Sequence, residues 1–196
     1  GQLVDRLLQR LGPAPPALRD ALIERADGHP YYLEELLNML IDQGVIDAHG
    51  PQWRLRSGLE RLSSLPVTLS GVLQARLASL ADASRRVLQQ AAVIGPLFEQ
   101  QVLAALDPAA AMALPALSGR GLVHADGEGR WRFHHQLLQQ AAYDMVLKRD
   151  RVDWHRRVAE HLAGRAHAPP YDTAEHFERA GLPEPAAQHY TRAALE

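Results

Sequence analysis

Gly28-His29-Pro30-Tyr31-Tyr32-Leu33-Glu34-Glu35-Leu36-Leu37 halts one helical pattern and launches another. Glycine tolerates positive φ, while proline fixes its own φ and lacks the N–H that a first helical turn leaves unpaired. The stretch predicts a helix–turn–helix corner. Upstream, Leu3, Val4, Leu7, Leu8 and Leu11 recur at the helix period, Gly12 to Pro16 breaks it, and Leu18, Ala21, Leu22 and Ala26 carry a second helix to Asp27. Downstream, Leu33, Leu36, Leu37, Leu40 and Ile41 form one apolar stripe ending at Gly44. The period then becomes extended. Val45-Ile46, a turn at His49-Gly50-Pro51, and Trp53-Arg54-Leu55 predict a short hairpin.

Residues 56 to 66 read as a connection closed by Pro66, and Thr68 or Ser70 can cap the helix of Leu69, Val72, Leu73, Leu77 and Leu80. A helix beginning at Ser84 buries Val87, Leu88, Ala91 and Ala92 and stops at Gly95-Pro96. Glu99 to Leu106 predicts a short helix, and Pro108 to Arg120 another, with Met112, Leu114 and Leu117 inward. Leu122-Val123-His124, the Asp126-Gly127 turn and Trp131-Arg132-Phe133 give a second hairpin. Three helices and a hairpin in this order are the parts of a winged helix. His135 to Leu147 carries the cleanest helical stripe, and Asp150 to Gly164 follows with Trp154, Val158 and Leu162. Ala168-Pro169-Pro170 reads as a linker. The two short helices after it alternate small and aromatic residues, as a helical-hairpin repeat does. Such a unit stacks on copies of itself, so the C-terminus reads as a truncation.

Composition narrows the chemistry. Among 196 residues, 46% are hydrophobic and 22% charged, with a formal net charge of −2, so bulk charge calls for neither nucleic acid nor an anionic membrane. No apolar run approaches the roughly 20 residues that span a bilayer, and a cytoplasmic location is expected. The sequence has no cysteine, which removes disulfides and thiolate chemistry. Its only lysine, Lys148, follows Met145-Val146-Leu147, so no Walker A loop exists within these residues. The ten histidines lack metal-ligand spacing, and the adjacent His134 and His135 diverge. Scattered solvent or hydrogen-bonding roles are expected for them. Glu34 and Glu35 point about 100° apart on a helix and cannot flank one substrate atom; the macrodipole explains them. The helix before the second hairpin is alanine-rich with one arginine, Arg120, so nucleic acid is not the expected partner.

Together these pieces resemble the C-terminal half of the AAA/STAND-type ATPase module of bacterial signalling proteins, which accompanies class III adenylate/guanylate cyclases and large LuxR-type regulators. Gly28-His29-Pro30-Tyr31-Tyr32-Leu33-Glu34-Glu35-Leu36 is similar to the family's Gly-Asn-Pro-(aromatic)-x-(aliphatic)-Glu-Glu-Leu motif. Leu65 to Leu77 resembles the entry to its winged helix, and Ala91-Ala92-Val93-Ile94-Gly95 with Phe98 continues the match. Phe133-His134-His135-Gln136-Leu137, with Tyr143, resembles its Phe-x-His-x-Leu-x-x-x-x-x-Tyr signature, and Ala174 to Gly181 the opening of its tetratricopeptide-like array. His29 stands where the family has asparagine, and Gln139-Gln140 where it commonly has a charged pair.

The resemblance implies a mainly α fold: a helical lid with hairpin over 1–56, a winged helix with short β-hairpins over 66–134, a helical extension over 135–167, and a TPR-like start over 171–196. It implies that Pro30, in the turn with Gly28, packs on adenine, and that His135 approaches the nucleotide β-phosphate. The chain would be a non-catalytic regulatory segment relaying nucleotide state from an upstream P-loop ATPase domain to an output domain. It would hold no cofactor alone; ATP or ADP with Mg would bind the intact protein, for which the resemblance implies an ATPase-containing signalling protein such as a nucleotide cyclase. Downstream TPR-like repeats and a protein partner are implied, and no membrane. The competing classes are a winged-helix DNA-binding regulator and a nucleotide-independent protein-interaction scaffold.

Overall fold

The computed structural model describes residues 16–48, 53–56 and 65–195. The helix expected over Gln2–Leu11, the break that follows it, the His49-Gly50-Pro51 turn and most of the 56–66 connection lie outside them. The chain is mainly helical with small antiparallel sheets. It divides into two compact units, Gly1–Leu80 and Ala81–Glu196. Residues 66–80, read from sequence as the start of the winged helix, therefore belong to the first unit.

In the first unit α1 (Pro16–Ala26) buries Leu18, Leu22 and Ala26, one residue per turn. Asp27 (φ 42°) and Gly28 (φ 78°) turn the chain into α2 (Pro30–Asp42), with His29 as N-cap and Pro30 in the first turn. The stripe read from sequence is the buried face: Leu33, Leu36, Leu37 and Leu40. Gly44, at φ 69°, ends α2 in a Schellman arrangement: its N–H reaches Ile41 O, and the Val45 N–H reaches Leu40 O, each at 2.9 Å. β1 (Ile46–Asp47) pairs with β2 (Arg54–Leu55), Ile46 opposite Leu55. Thr68 caps α3 (Leu69–Ala78) by accepting the Gly71 N–H at 3.1 Å. Burying Val72 against the α1–α2 core closes the unit.

The second unit begins with α4 (Asp82–Ile94), whose buried face includes the expected Val87, Leu88, Ala91 and Ala92. Sequence reading took Gly95-Pro96 as a stop only. The chain instead enters a strand, β3 (Leu97–Glu99), before α5 (Gln100–Leu106). β3 pairs antiparallel with β5 (Arg130–Phe133), which pairs with β4 (Val123–Ala125), giving the order β3-β5-β4. Phe98 and Phe133 meet at 5.9 Å on its buried face.

The single helix expected over 108–120 is two pieces, a 3₁₀ turn (Ala110–Ala113) and α6 (Leu114–Gly119). A continuous α-helix would need the Pro115 N–H for Ala111 O, and proline has none; the Leu114 N–H bonds that carbonyl instead. Met112 consequently faces solvent, 84% exposed, rather than inward.

Four helices complete the unit: α7 (Gln136–Asp144), α8 (Lys148–Ala163), α9 (Pro170–Arg179) and α10 (Pro183–Ala193). Ala168-Pro169-Pro170 is not a contact-poor linker. Pro169 is the N-cap of α9, its carbonyl accepts from Thr173 Oγ1 at 2.9 Å, and Ala168 packs on the core of Val93, Val102, Val158 and Leu162. Ala159, Phe177 and Ala186 join α8, α9 and α10.

Candidate functional site

The Gly28–Pro30 turn is built to project. Gly28 at φ 78° has nothing within 4 Å of where a Cβ would stand, and Gly28, His29 and Pro30 are all exposed. The turn is nevertheless fixed: the His29 N–H donates to Ala26 O at 2.7 Å, and the Leu33 N–H to His29 O at 3.2 Å. Proline at the helix start presents an apolar ring edge without an unpaired N–H. Behind it the Tyr31 phenol is held above its usual range by burial first, then by the Glu35 carboxylate. The Tyr32 hydroxyl donates to Pro66 O at 2.9 Å, tying the first turn of α2 to the entrance of α3.

Glu35 departs from the sequence expectation. It is not a surface charge answering the macrodipole but a side chain 1% exposed, bonded by Arg76 Nη1 of α3. Arg76 Nε also reaches Asp42 Oδ2 at 3.1 Å. One guanidinium thus clamps the middle and the C-terminal end of α2 onto α3. Sequence reading missed Arg76, because 41 residues separate it from Glu35. Its place on the buried face between Leu73 and Leu77 is the signal that could have found it.

His135 belongs to the second unit. It is the N-cap of α7, its Nδ1 accepting the Leu137 N–H at 3.1 Å. Histidine does here what a serine or aspartate usually does. Gln139 donates from Nε2 to Ala92 O at 2.7 Å and so pins α7 on α4. Gln140 bonds Asp144 Oδ1 at 3.0 Å.

Of the histidines for which solvent or hydrogen-bonding roles were expected, two are buried and take the second: His155, 1% exposed, and His176, 5% exposed. Their Nδ1 atoms lie 2.8 Å apart, and the Tyr143 hydroxyl lies 3.0 Å from His155 Nε2. Burial lowers His155 to about 3, reinforced by His176, Arg179 and Arg151. Burial and then Arg179 lower His176 to about 4, against the raising effect of a hydrogen bond to the Ile94 carbonyl. Both rings are neutral at pH 7. His176 also walls a cleft of about 350 Å³ with an apolar floor of Ile94, Leu97, Phe98 and Val102 and a rim that includes Glu99, Arg130, Asp172 and Arg179. Among the described residues no group of three or more His, Cys, Asp or Glu side chains is placed to hold a metal ion. No helix among them is long and apolar enough to cross a membrane.

The chain is 31% identical over 193 residues to an uncharacterized protein of Rhizobium meliloti (strain 1021), the match covering 92% of this chain and 18% of that protein. The chain therefore spans less than a fifth of the length of this relative. No family model matches the chain, and no solved structure matches it.

Proposed function

We propose that this chain is a regulatory segment of a larger ATP-dependent signalling protein of the AAA/STAND type, with the first unit as a nucleotide lid and the second as a winged helix leading into TPR-like helices. The observation that carries the reading is the exposed Pro30, held at the start of α2 by a turn with positive φ, on a helix clamped to α3 by a buried arginine. A rigid, apolar, solvent-facing edge suits stacking on a base. His135 offers a second contact in the intact protein. In the second unit α4, α5, the 3₁₀–α6 segment and the β3-β5-β4 sheet have the order of a winged helix, and α9 and α10 that of a helical hairpin. The great length of the relative agrees with a segment that works within a longer chain. ATP or ADP with Mg would be bound chiefly by an upstream P-loop domain, and an output domain, a cyclase or transcriptional regulator, would receive the signal.

The test uses both lengths of protein. The 196 residues alone should show no ATPase activity. In the long protein Pro30→Ala should weaken ATP-analogue binding, read by fluorescence titration, about tenfold, the equivalent of about 1.4 kcal/mol. Hydrolysis by the short chain, or unchanged affinity in the Pro30→Ala protein, overturns the reading. Salt-dependent binding of duplex DNA would replace it with the transcription-factor alternative.

A further inference from the structure

The contacts of His155 and His176 join three side chains in one run. The two Nδ1 atoms face each other at 2.8 Å, so with both rings neutral one carries the proton and the other accepts it. His155 Nε2 meets the Tyr143 hydroxyl at 3.0 Å, and a hydroxyl can donate or accept to suit either tautomer. The run goes from α7 through α8 to α9, with the Ile94 backbone at the end of α4 close to His176.

We infer that the Tyr143–His155–His176 chain is a proton-sensitive latch that holds α9 on α8 and lets it go when a ring becomes charged. The inference stands whether or not the nucleotide reading does. One excess proton leaves a charged ring inside the buried run. A second sets two N–H donors against each other across a 2.8 Å gap. Neither state finds a counter-charge at the rings, because neither histidine hydrogen-bonds a carboxylate among the described residues.

The groups around the pair can be taken element by element. From α7 comes the Tyr143 phenol and from α8 Arg151, its guanidinium carbon 4.5 Å from the Tyr143 ring centre. α4 brings the Ile94 backbone beside His176, and Arg86, whose guanidinium carbon lies 5.7 Å from the centre of the Trp154 ring. On α9, Arg179 is bridged to Glu175 at 3.5 Å, while Asp172 lines the cleft beside His176. β3 brings Glu99, engaged by Arg165 at 2.9 Å, and β5 brings Arg130. Two arginines near the rings oppose a further positive charge, and the carboxylates nearest on the cleft wall are largely engaged elsewhere.

Opening α9 delivers His176 to water, where an ordinary histidine titrates near pH ~6.5. The closed form keeps its rings neutral down to about 3 for His155 and about 4 for His176. The opened form therefore binds more protons between those values and pH ~6.5, so closure is complete above that window and is lost as pH falls through it.

Hydrogen exchange of the whole chain, corrected for the intrinsic pH dependence, reads the latch directly. Between pH 7.5 and 5.0 the opening constant of α9 should rise about 30-fold if one histidine is released and about a thousand-fold if both are. Protection of α4 should change far less. A flat α9, or equal loss across α4 and α9, overturns the inference. So does a pH dependence that survives in the His155→Gln/His176→Gln chain. If that variant does not fold, long-range proton–nitrogen correlation on the unmodified protein decides. Two neutral rings, with one of the two facing Nδ1 atoms protonated, are expected at pH 7, and a charged ring at pH 6 overturns the proposal.

Discussion

Each unit of this protein buries polar side chains to bolt one helix to another, and the two use opposite chemistry. The first joins α2 to α3 with a permanent ion pair, Glu35 and Arg76, each 1% exposed. The second joins α8 to α9 with two neutral rings, His155 and His176, at 1% and 5%. An arginine in a protein does not lose its proton, so the first bolt responds to which side chains are present. A histidine changes charge within the physiological range once it is wetted, so the second responds to the solvent. Burial alone therefore does not say what a polar contact is for. The ability of its members to change charge does.

The largest expected effect breaks the first bolt. Arg76→Met leaves Glu35 buried without its counter-charge, and Glu35 Oε1 already has no hydrogen-bond partner among the described residues. Removing one partner of such a pair costs about 3–5 kcal/mol. Urea unfolding followed by a probe in the first unit should show that loss. The double variant Glu35→Met/Arg76→Met should recover most of it, because an apolar pair of similar volume needs no compensation. A cost below about 1 kcal/mol in the single variant would mean that the pair is exposed to water and is worth no more than a surface bridge.

Acid loads the second bolt instead. His155 and His176 have folded values lowered to about 3 and about 4, below the unfolded value, so the unfolded state binds more protons as pH falls. Each histidine should remove about 1.4 kcal/mol of stability per pH unit between ~6.5 and its folded value. From pH 6.5 to 5.0 that is about 2 kcal/mol apiece, lost from the second unit and restored on neutralisation. Unfolding monitored at Trp154, beside His155 on α8, measures it. A second unit equally stable at pH 7.5 and 5.0 would show that the rings reach water in the folded state.

Neither bolt was legible as a pair in the sequence, although both left a trace. The elements themselves were readable where a period or a turn residue spoke: the α2 stripe from Leu33 to Leu40, the Gly44 stop and the two hairpins. β3 was not, since three residues carry no period and its partner β5 lies over 30 positions on. The break at Pro115 was available from proline chemistry and was overridden by the surrounding alanines. The histidines sat in view on apolar stripes. His155 lies three and four residues before the buried Val158 and Ala159, and His176 adjoins the buried Phe177. Spacing along one chain tells which face a residue shares, but pairing across 21 or 41 positions is decided by the fold.

The smallest expected effect separates stability from signalling at His135. Its Nδ1 caps α7 by accepting the Leu137 N–H at 3.1 Å, a service any short acceptor can perform. His135→Ala should therefore cost the second unit about 1 kcal/mol, while His135→Asn should stay within a few tenths. If the ring also meets a nucleotide in the long protein, the asparagine variant keeps its thermal midpoint and loses its discrimination between ADP and ATP analogues. If the ring only caps, both midpoint and discrimination survive in the asparagine variant. The same cap thus distinguishes a helix end that holds itself together from one that reads a ligand, because Asn replaces the acceptor but not the distal nitrogen of the imidazole.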